Sequence, residues 1–384
     1  MYLRTILTIL MLIFAGNALA QNLPKEIQDA QFYFLIDADT KEVLLAKNQD
    51  ARIAPSSMTK MMTAYVVFDQ VRKGNINLNN QCLIGKDAWR KSGSSMFLNY
   101  GDVVTIDDLV KGLLVVSGND AAIALAESVG NGCENFINLM NLKAREIGLK
   151  NSHFKNPHGL NEDGHYMSLR DLATLAIKIY EDFPQYSHYF GIPEFTYRNI
   201  RQQNRNPLIK EHYEGVVGGK TGHTNEGGYG VIGIVKREHR RLIAVVNKAK
   251  TPKIRAAILT SLMDYGFNNY KKLVIFEKDQ EVAKLPVWLG DDAKVPVTTN
   301  QRIALNIPSD KSLNEIKVSV KYKGPVYAPI ATGAKIATLV VEVKGYKTFE
   351  YSLFAQEKVD KVGDLRKIKR ILQYKINNFL TNNF

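Results

Sequence analysis

The order of strand-like and helix-like segments is the feature that most constrains how this chain folds. Two apolar runs rich in β-forming residues, 32–36 and 42–46, flank the turn-like segment 37–41 and predict a β-hairpin. Helical patterns fill the centre of the chain, and strand patterns return only near residue 216. We expect the strands from both ends of this unit to pair as one antiparallel sheet covered by helices, an α+β arrangement.

Local start and stop signals divide the central part into elements. Pro55-Ser56 opens a predicted helix over 57–71 that ends near Gly74. Asp107 and Asp108 are expected to cap a second helix through 109–116. Further helices are predicted over 120–129, 168–180 and 254–267, a loop over 151–165, and strands near 216–222, 229–235 and 242–247.

Helical patterns stop at about residue 274, and short alternating strands recur between turn residues. These strands are predicted over 287–289, 302–307, 316–321, 337–343 and 349–354. They indicate a small all-β domain over 275–356, which follows a larger domain over 21–272.

The first twenty residues have the pattern of a cleaved signal peptide. Arg4 precedes the apolar run 6–15, which is short for a membrane span, and Ala18-Leu19-Ala20 fits a signal-peptidase site. Gln21 would then begin the mature chain, and the protein would work outside the cytosol. An uncleaved anchor or a buried strand is the alternative.

Residues 360–384 predict a basic amphipathic helix. One face carries Leu365, Ile368, Leu372, Ile376, Phe379 and Leu380, and the other carries Arg366, Lys367 and Arg370. Such a helix suits the surface of an anionic membrane, and a helix packed on the protein's own surface is the alternative. The net charge of +13 agrees with anionic lipid or an anionic wall polymer as partner, and no nucleic-acid-binding motif is present.

Cysteine and histidine are the residue types in this chain that could form cross-links or metal sites. The only cysteines, Cys82 and Cys133, are too few for a cysteine-built zinc site, and their spacing leaves open whether they pair. His153, His158 and His165 share one loop, but their spacing fits no common zinc motif. We therefore expect neither a metal nor another cofactor.

Ser57 and Lys60 form an S-x-x-K pair at the start of the first predicted helix. Residues three apart share one helix face, so Lys60 can reach the Ser57 hydroxyl and serve as its base. Burial and neighbouring positive charge would lower the lysine pKa as that role requires. The motif occurs by chance in many chains, and a surface serine and lysine is the alternative.

Two further motifs give the pair its significance. Sixty residues after Ser57, Ser117-Gly118-Asn119 falls between two helices, where Ser117 can shuttle a proton and the Asn119 amide can hold a substrate backbone group. Lys220 and Thr221 offer a cation and a hydroxyl for a substrate carboxylate. Gly222 leaves room for the substrate, and the His223 N–H offers an oxyanion donor. Taken separately, a helix–helix turn and an exposed strand edge would explain these two segments.

In this order and spacing, the motifs resemble the S-x-x-K, S-x-N and K-T-G set of penicillin-binding proteins and serine β-lactamases. The segments 55–63, 156–160 and 219–224 are similar to those of the low-molecular-mass D-alanyl-D-alanine carboxypeptidases, and so is the layout of the whole mature chain. One departure lies at 246–251, where Val-Asn-Lys-Ala-Lys-Thr replaces the family's Gly-Gly-Arg. It concerns the binding of a terminal carboxylate.

The resemblance implies a transpeptidase/β-lactamase-like domain and a serine carboxypeptidase that removes the terminal D-alanine of a peptidoglycan stem peptide. It also implies acylation of Ser57 by β-lactams, and a location on the periplasmic face of the inner membrane. The alternatives are an endopeptidase or a β-lactamase at the same site, or a cell-wall-binding protein with a decayed site.

Overall fold

The computed structural model describes residues 23–363 and Ile368, and the chain divides into two compact units between Phe267 and Asn268. The predicted signal peptide and nearly all of the predicted C-terminal helix lie outside the described residues. No helix in the described part of the chain is long and apolar enough to cross a bilayer.

The first unit combines helices with an antiparallel sheet. Its helices are α1 Lys25–Asp29, α2 Lys60–Arg72, α3 Lys86–Trp89, α4 Ile106–Leu114, α5 Asn119–Gly130, α6 Cys133–Glu146, α7 Leu169–Asp182, α8 Pro207–Lys210 and α9 Pro252–Asn269. Its strands are β1 Phe32–Asp37, β2 Val43–Lys47, β3 Gln81–Leu83, β4 Val103–Thr105, β5 Glu194–Tyr197, β6 Ile200–Gln203, β7 Val216–Thr224, β8 Gly228–Arg237 and β9 Arg240–Ala249.

Five strands form the main sheet in the order β2-β1-β9-β8-β7, and every neighbouring pair is antiparallel. The sheet therefore joins the N-terminal hairpin to strands that follow about 170 residues later, which confirms the predicted α+β arrangement. This order leaves β7 at one edge, beside the segment that precedes α2.

Helix α2 lies at the centre of the helical cluster. Its residues from Lys60 to Gln70 are all buried, because apolar side chains cover every face of the helix. The chain enters α2 through a tight 3₁₀ turn, Ser56–Thr59, so Ser57 lies just ahead of the α-helix rather than in its first turn. Ser56 holds a left-handed φ of 51° at the start of this turn.

The cap of one helix was predicted wrongly, and another helix was not predicted. Thr105, not Asp107 or Asp108, caps α4, and its side chain accepts a hydrogen bond from the Asp108 N–H. The two aspartates lie in the first turn, where the helix dipole also favours acidic residues. Helix α6 had no predicted counterpart, because its apolar stripe of Phe136, Met140 and Ala144 is narrow.

The second unit is built from strands, as predicted. They are β10 Tyr270–Phe276, β11 Glu281–Trp288, β12 Lys294–Thr298, β13 Ile303–Pro308, β14 Ile316–Tyr322, β15 Val326–Tyr327, β16 Lys335–Val343 and β17 Thr348–Ala355. Six of them form a sheet in the order β14-β16-β17-β12-β11-β15, and β10 pairs with β13. Strands β10, β12 and β15 were not predicted, and β10 begins ahead of the predicted start at residue 275.

The space around Gly159 shows how closely the 151–165 loop packs against the 3₁₀ turn. Its φ is +84°, and a Cβ at this position would lie 1.9 Å from the Ser56 carbonyl oxygen. Gly74 has a similar φ of +74° with no atom within 4 Å of its virtual Cβ. We predict that Gly159→Ala lowers the free energy of unfolding by about 1–3 kcal/mol more than Gly74→Ala, since only the first adds overpacking to backbone strain. Urea denaturation measures both, and equal losses would contradict the prediction.

Candidate active site

Lys60 joins the three segments that meet beneath Ser57. Its Nζ lies 3.0 Å from Ser57 Oγ, 2.7 Å from Asn119 Oδ1 and 2.7 Å from the His158 carbonyl oxygen. The lysine side chain is fully buried. An uncharged amine has two N–H donors and one lone pair, and the amide and carbonyl oxygens can only accept. The lone pair is thus left to accept the Ser57 hydroxyl proton.

The surroundings of Lys60 favour this uncharged form. Burial lowers its pKa well below the ordinary value, and the positive charge of Lys220 lowers it further. The carboxylate of Asp120 acts in the opposite direction. Lys60 therefore has the environment that a lysine base requires, and most of it comes from residues distant in the sequence.

Lys220 and Ser117 form a second lysine–serine pair across the cavity. Lys220 Nζ lies 2.9 Å from Ser117 Oγ and 3.1 Å from the Thr221 carbonyl oxygen. Burial, together with the nearby Arg205 and Arg255, lowers the Lys220 pKa to about 7. Ser117 itself has a left-handed φ of 65°, which turns the chain between α4 and α5. The pair can therefore exchange a proton near neutral pH.

Asn119 holds the site together more than the sequence indicated. Its Oδ1 accepts from Lys60, its Nδ2 donates to the Ser92 carbonyl oxygen at 2.8 Å, and its backbone N–H donates to the Ser94 carbonyl oxygen at 2.6 Å. One side chain thus connects the lysine to the loop that forms the cavity wall. This positioning of Lys60 comes in addition to the predicted contact with substrate.

Gly222 has a packing role that comes in addition to the predicted room for substrate. A Cβ at this position would lie 2.9 Å from the Pro55 carbonyl oxygen and 3.2 Å from the Ser57 backbone nitrogen. The glycine lets the edge strand β7 pack against the 3₁₀ turn, and this contact brings the Lys220–His223 segment beside Ser57.

The side chains surround a cavity of about 300 Å³ that reaches the Ser57 hydroxyl. It is lined by Ser57, Ser94, Ser117, Arg205, Thr221, Gly222, His223, Tyr229, Pro252 and Arg255. The described lining residues include two arginines and no Asp or Glu. Cavities of this size and larger are typical of small-ligand sites, and the positive charge favours an anionic ligand.

The two arginines were not identified from the sequence. Arg205 donates to Ser94 Oγ at 2.8 Å. Arg255 is 8% exposed, burial lowers its pKa, and its Nε finds no hydrogen-bond partner among the described residues. It lies four residues past the segment in which the resembling family has Gly-Gly-Arg. Helix α9 thus supplies a cation in the region where 246–251 departs from the family pattern, and no local pattern marks it.

Asp120 is a further residue that sequence reasoning missed. Its buried carboxylate accepts from Ser95 Oγ at 2.6 Å and from the Met96 and Leu98 N–H groups at 3.1 and 3.2 Å. These bonds fix the loop beside the cavity to the start of α5. An acidic residue in the first turn of a helix is common, so its type alone could not reveal this role.

Two of the loop histidines are buried and keep neutral rings. Burial lowers the pKa of His158 to about 3 and that of His165 to about 4. Nδ1 of His165 accepts from the Lys155 N–H, so its Nε2 donates to Thr59 Oγ1 at 2.9 Å. Within the described residues, no group of three or more His, Cys, Asp or Glu side chains is placed to hold a metal ion. Cys82 and Cys133 are both free thiols.

This geometry fits a serine acyl-transfer site with a lysine in place of the more familiar histidine base. Residues 18–251 match the family D-alanyl-D-alanine carboxypeptidase, and residues 270–361 match penicillin-binding protein 5, C-terminal domain. The chain belongs to the D-alanyl-D-alanine carboxypeptidase family, as the resemblance implied, and it is a serine peptidase.

Similar proteins span nearly the whole chain. D-alanyl-D-alanine carboxypeptidase DacF of Bacillus subtilis is 36% identical, with 95% of each chain covered. DacA of Escherichia coli K12 is 35% identical over 84% of this chain and 81% of its own. The crystal structure of penicillin-binding protein 5 from Haemophilus influenzae has a TM-score of 0.83 and 34% identity, covering 88% of this chain and 99% of that one. These relatives favour a carboxypeptidase over the alternatives.

The buried Lys60 amine predicts a particular pH dependence of stability. Its native pKa is lowered, so between that pKa and the ordinary value near 10.4 the unfolded state binds one more proton. Stability from this group is therefore gained as pH rises. The difference in free energy of unfolding, wild type minus Lys60→Met, should rise by about 1.4 kcal/mol per pH unit within that window.

Urea denaturation at several pH values between 7 and 9 measures this difference. Lys210→Met, at an exposed lysine on α8, is the control for loss of a lysine side chain. A wild-type-minus-Lys60→Met difference that stays constant with pH would show that Lys60 is charged in the native protein.

Proposed function

We propose that Ser57 is the nucleophile with which this D-alanyl-D-alanine carboxypeptidase removes the terminal D-alanine of a peptidoglycan stem peptide. The observation that carries the proposal is the 3.0 Å contact between Lys60 Nζ and Ser57 Oγ, with both other Lys60 contacts to acceptors. Lys60 takes the hydroxyl proton as Ser57 attacks the penultimate carbonyl carbon. D-alanine leaves, and an acyl-enzyme remains.

The terminal carboxylate of the substrate is held by the positive wall of the cavity. Thr221 lines the cavity and provides the hydroxyl expected from the sequence, and Lys220, bonded to Ser117 in the cavity wall, provides the cation. Arg255, whose Nε has no partner among the described residues, adds a second cation. A carboxylate bound here repays the free energy lost when these groups were taken out of water. The cavity thus favours peptides with a free C-terminus over internal peptide bonds.

The leaving amine needs a proton, and the Ser117–Lys220 pair is placed to supply it. Ser117 donates to departing D-alanine and is reprotonated from Lys220, whose pKa of about 7 suits proton transfer at neutral pH. The N–H groups of Ser57 and His223 stabilise the tetrahedral oxyanion. Gly222, by its close packing on the 3₁₀ turn, sets the distance between these two donors.

Before deacylation, the proton that Lys60 took from Ser57 passes through solvent to the neutral Lys220, which restores both amines. Water then attacks the acyl-enzyme and gives a proton to Lys60, and Lys60 passes that proton to Ser57 Oγ as the acyl group leaves. A β-lactam carries a strained amide and a nearby carboxylate in the same relation as the substrate. It acylates Ser57 by the same first step.

Replacing Ser57 tests the assignment. Ser57→Ala should abolish both D-alanine release from a stem peptide and covalent labelling by fluorescent penicillin. Lys60→Arg should reduce acylation by at least about 100-fold, because a guanidinium keeps its proton and cannot act as base. Urea denaturation checks that both variants fold. Covalent labelling of the Ser57→Ala protein would disprove the proposal.

We also propose that the protein is exported and lies on the outer, periplasmic face of the inner membrane. The support is in the sequence of 1–20, which has the signal-peptide pattern, and of 360–384, which has the basic amphipathic pattern. An enzyme held there meets stem peptides at the site of wall synthesis.

Truncation after Lys361 is expected to release the protein from vesicles that contain anionic lipid, because apolar burial and headgroup attraction are both lost. The full-length chain with Leu372→Asp and Ile376→Asp should behave like the truncated chain, whereas Lys367→Gln should still sediment. Unchanged co-sedimentation of the truncated protein would rule out the C-terminal segment as the anchor.

A further inference from the structure

A second cavity lies at the opposite end of β7 from the active site. Its volume is about 550 Å³, and Val216 and Val217, at the start of the strand, form part of its wall. The end of β8, the start of β9, helix α7 and the 3₁₀ segment Pro184–Gly191 form the rest of its wall, and the cavity is open to solvent. Thr221, Gly222 and His223 of the same strand line the active site, so the two cavities do not share a lining residue.

The charged groups of this cavity all have one sign. Lys236 and Arg241 are direct partners in the β8–β9 ladder, and both line the cavity together with His188. The described lining residues include no Asp or Glu. The nearest acid along α7, Glu181, is paired with Lys41 and Lys178. Two cations side by side repel each other, and an anion bound between them would relieve that repulsion.

Arg241 is the more constrained of the two. Its guanidinium carbon lies 4.6 Å from the centroid of the Tyr180 ring, which fixes the plane of the group against the cavity wall. Its Nε is buried and has no hydrogen-bond acceptor within the described part of the chain. The Tyr180 hydroxyl donates to the Val217 carbonyl oxygen at 3.2 Å and accepts no hydrogen bond from the Arg241 Nε. Buried donors without an acceptor are rare, because they lose hydration without compensation.

The remaining walls suit a compact ligand. Ile192, Val216 and Val217 are half-buried and apolar, and Ser187 is held by its bond to the Pro184 carbonyl oxygen. His188 Nδ1 donates to the Gln185 carbonyl oxygen at 3.0 Å, so Nε2 of the neutral ring is an acceptor and the cation pair supplies the donors for an anion. A planar guanidinium beside an ammonium group is the arrangement that binds carboxylate and phosphate oxygens.

We propose that this cavity is a binding site for a compact oxyanion, a phosphate or carboxylate group held by Arg241 and Lys236. The group would rest on the start of β7, at the other end of the strand that carries Lys220 and Thr221. The proposal uses no residue of the active site and does not depend on the proposed function.

The test is the rise in melting temperature on addition of sodium phosphate or sodium acetate at constant ionic strength. A ligand that binds only the native state raises stability according to its dissociation constant. We expect a saturable rise with at least one of the two anions. Arg241→Gln and Lys236→Gln should each weaken the apparent affinity by about tenfold, the size expected for loss of one charge-assisted contact.

Two controls separate this site from general charge effects and from the active site. Arg90→Gln removes an exposed charge outside the cavity and should leave the response unchanged. Arg255→Gln removes a cation that can itself bind an anion in the active site, and it should leave intact the part of the response that Arg241→Gln weakens. Arg241→Lys, which keeps the charge but loses the planar fork, should fall between wild type and Arg241→Gln. D-alanine release without added anion shows that the Arg241 and Lys236 variants are folded.

Phosphate and acetate distinguish the kind of oxyanion. A response to phosphate alone assigns a phosphate group, and a response to acetate assigns a carboxylate. The proposal is overturned if neither anion has a saturable effect, or if the apparent affinity is unchanged in Arg241→Gln.

Discussion

The burial of the Lys60 amine is the constraint on which the rest of the active site depends. An amine removed from water is tolerated only when its hydrogen bonds are satisfied, and the fold supplies acceptors from two separate segments, Asn119 and His158. These contacts use the two N–H groups and direct the lone pair to Ser57. They also explain why α2 runs through the centre of the helical cluster, since a surface helix could not keep Lys60 dry.

Positive charge is concentrated around this buried amine. The positive charges of Arg205 and Arg255 lower the pKa of Lys220, and like charges placed close together oppose folding. The same field attracts a carboxylate and keeps a proton near the leaving group. The negative charge of Asp120 opposes the lowering of the Lys60 pKa, and the Asp120 carboxylate also holds the adjacent loop. The grouped positive charges thus lower the stability of the fold while they serve the reaction, as is usual for active sites.

Much of the fold was predictable because its signals are local. The hairpin, helices α2, α4, α5, α7 and α9, and the switch to strands in the second unit follow from periodicity and from turn residues. Short or weakly patterned elements were missed, among them α6, β12 and β15. The Thr105 cap was assigned to Asp107 and Asp108 because capping and first-turn acids leave similar patterns in the sequence.

The sequence by itself determined the residue types of the site, since S-x-x-K, Ser-Gly-Asn and Lys-Thr-Gly are each contiguous and occur in a characteristic order. Only the tertiary structure decided what joins them. The sheet order places β7 against the 3₁₀ turn, α9 delivers Arg255, and the 151–165 loop delivers the His158 carbonyl. The pKa values of Lys60 and Lys220 are likewise decided only by the tertiary structure. Desolvation and Coulomb interactions act through space, between groups that can lie a hundred residues apart in the chain.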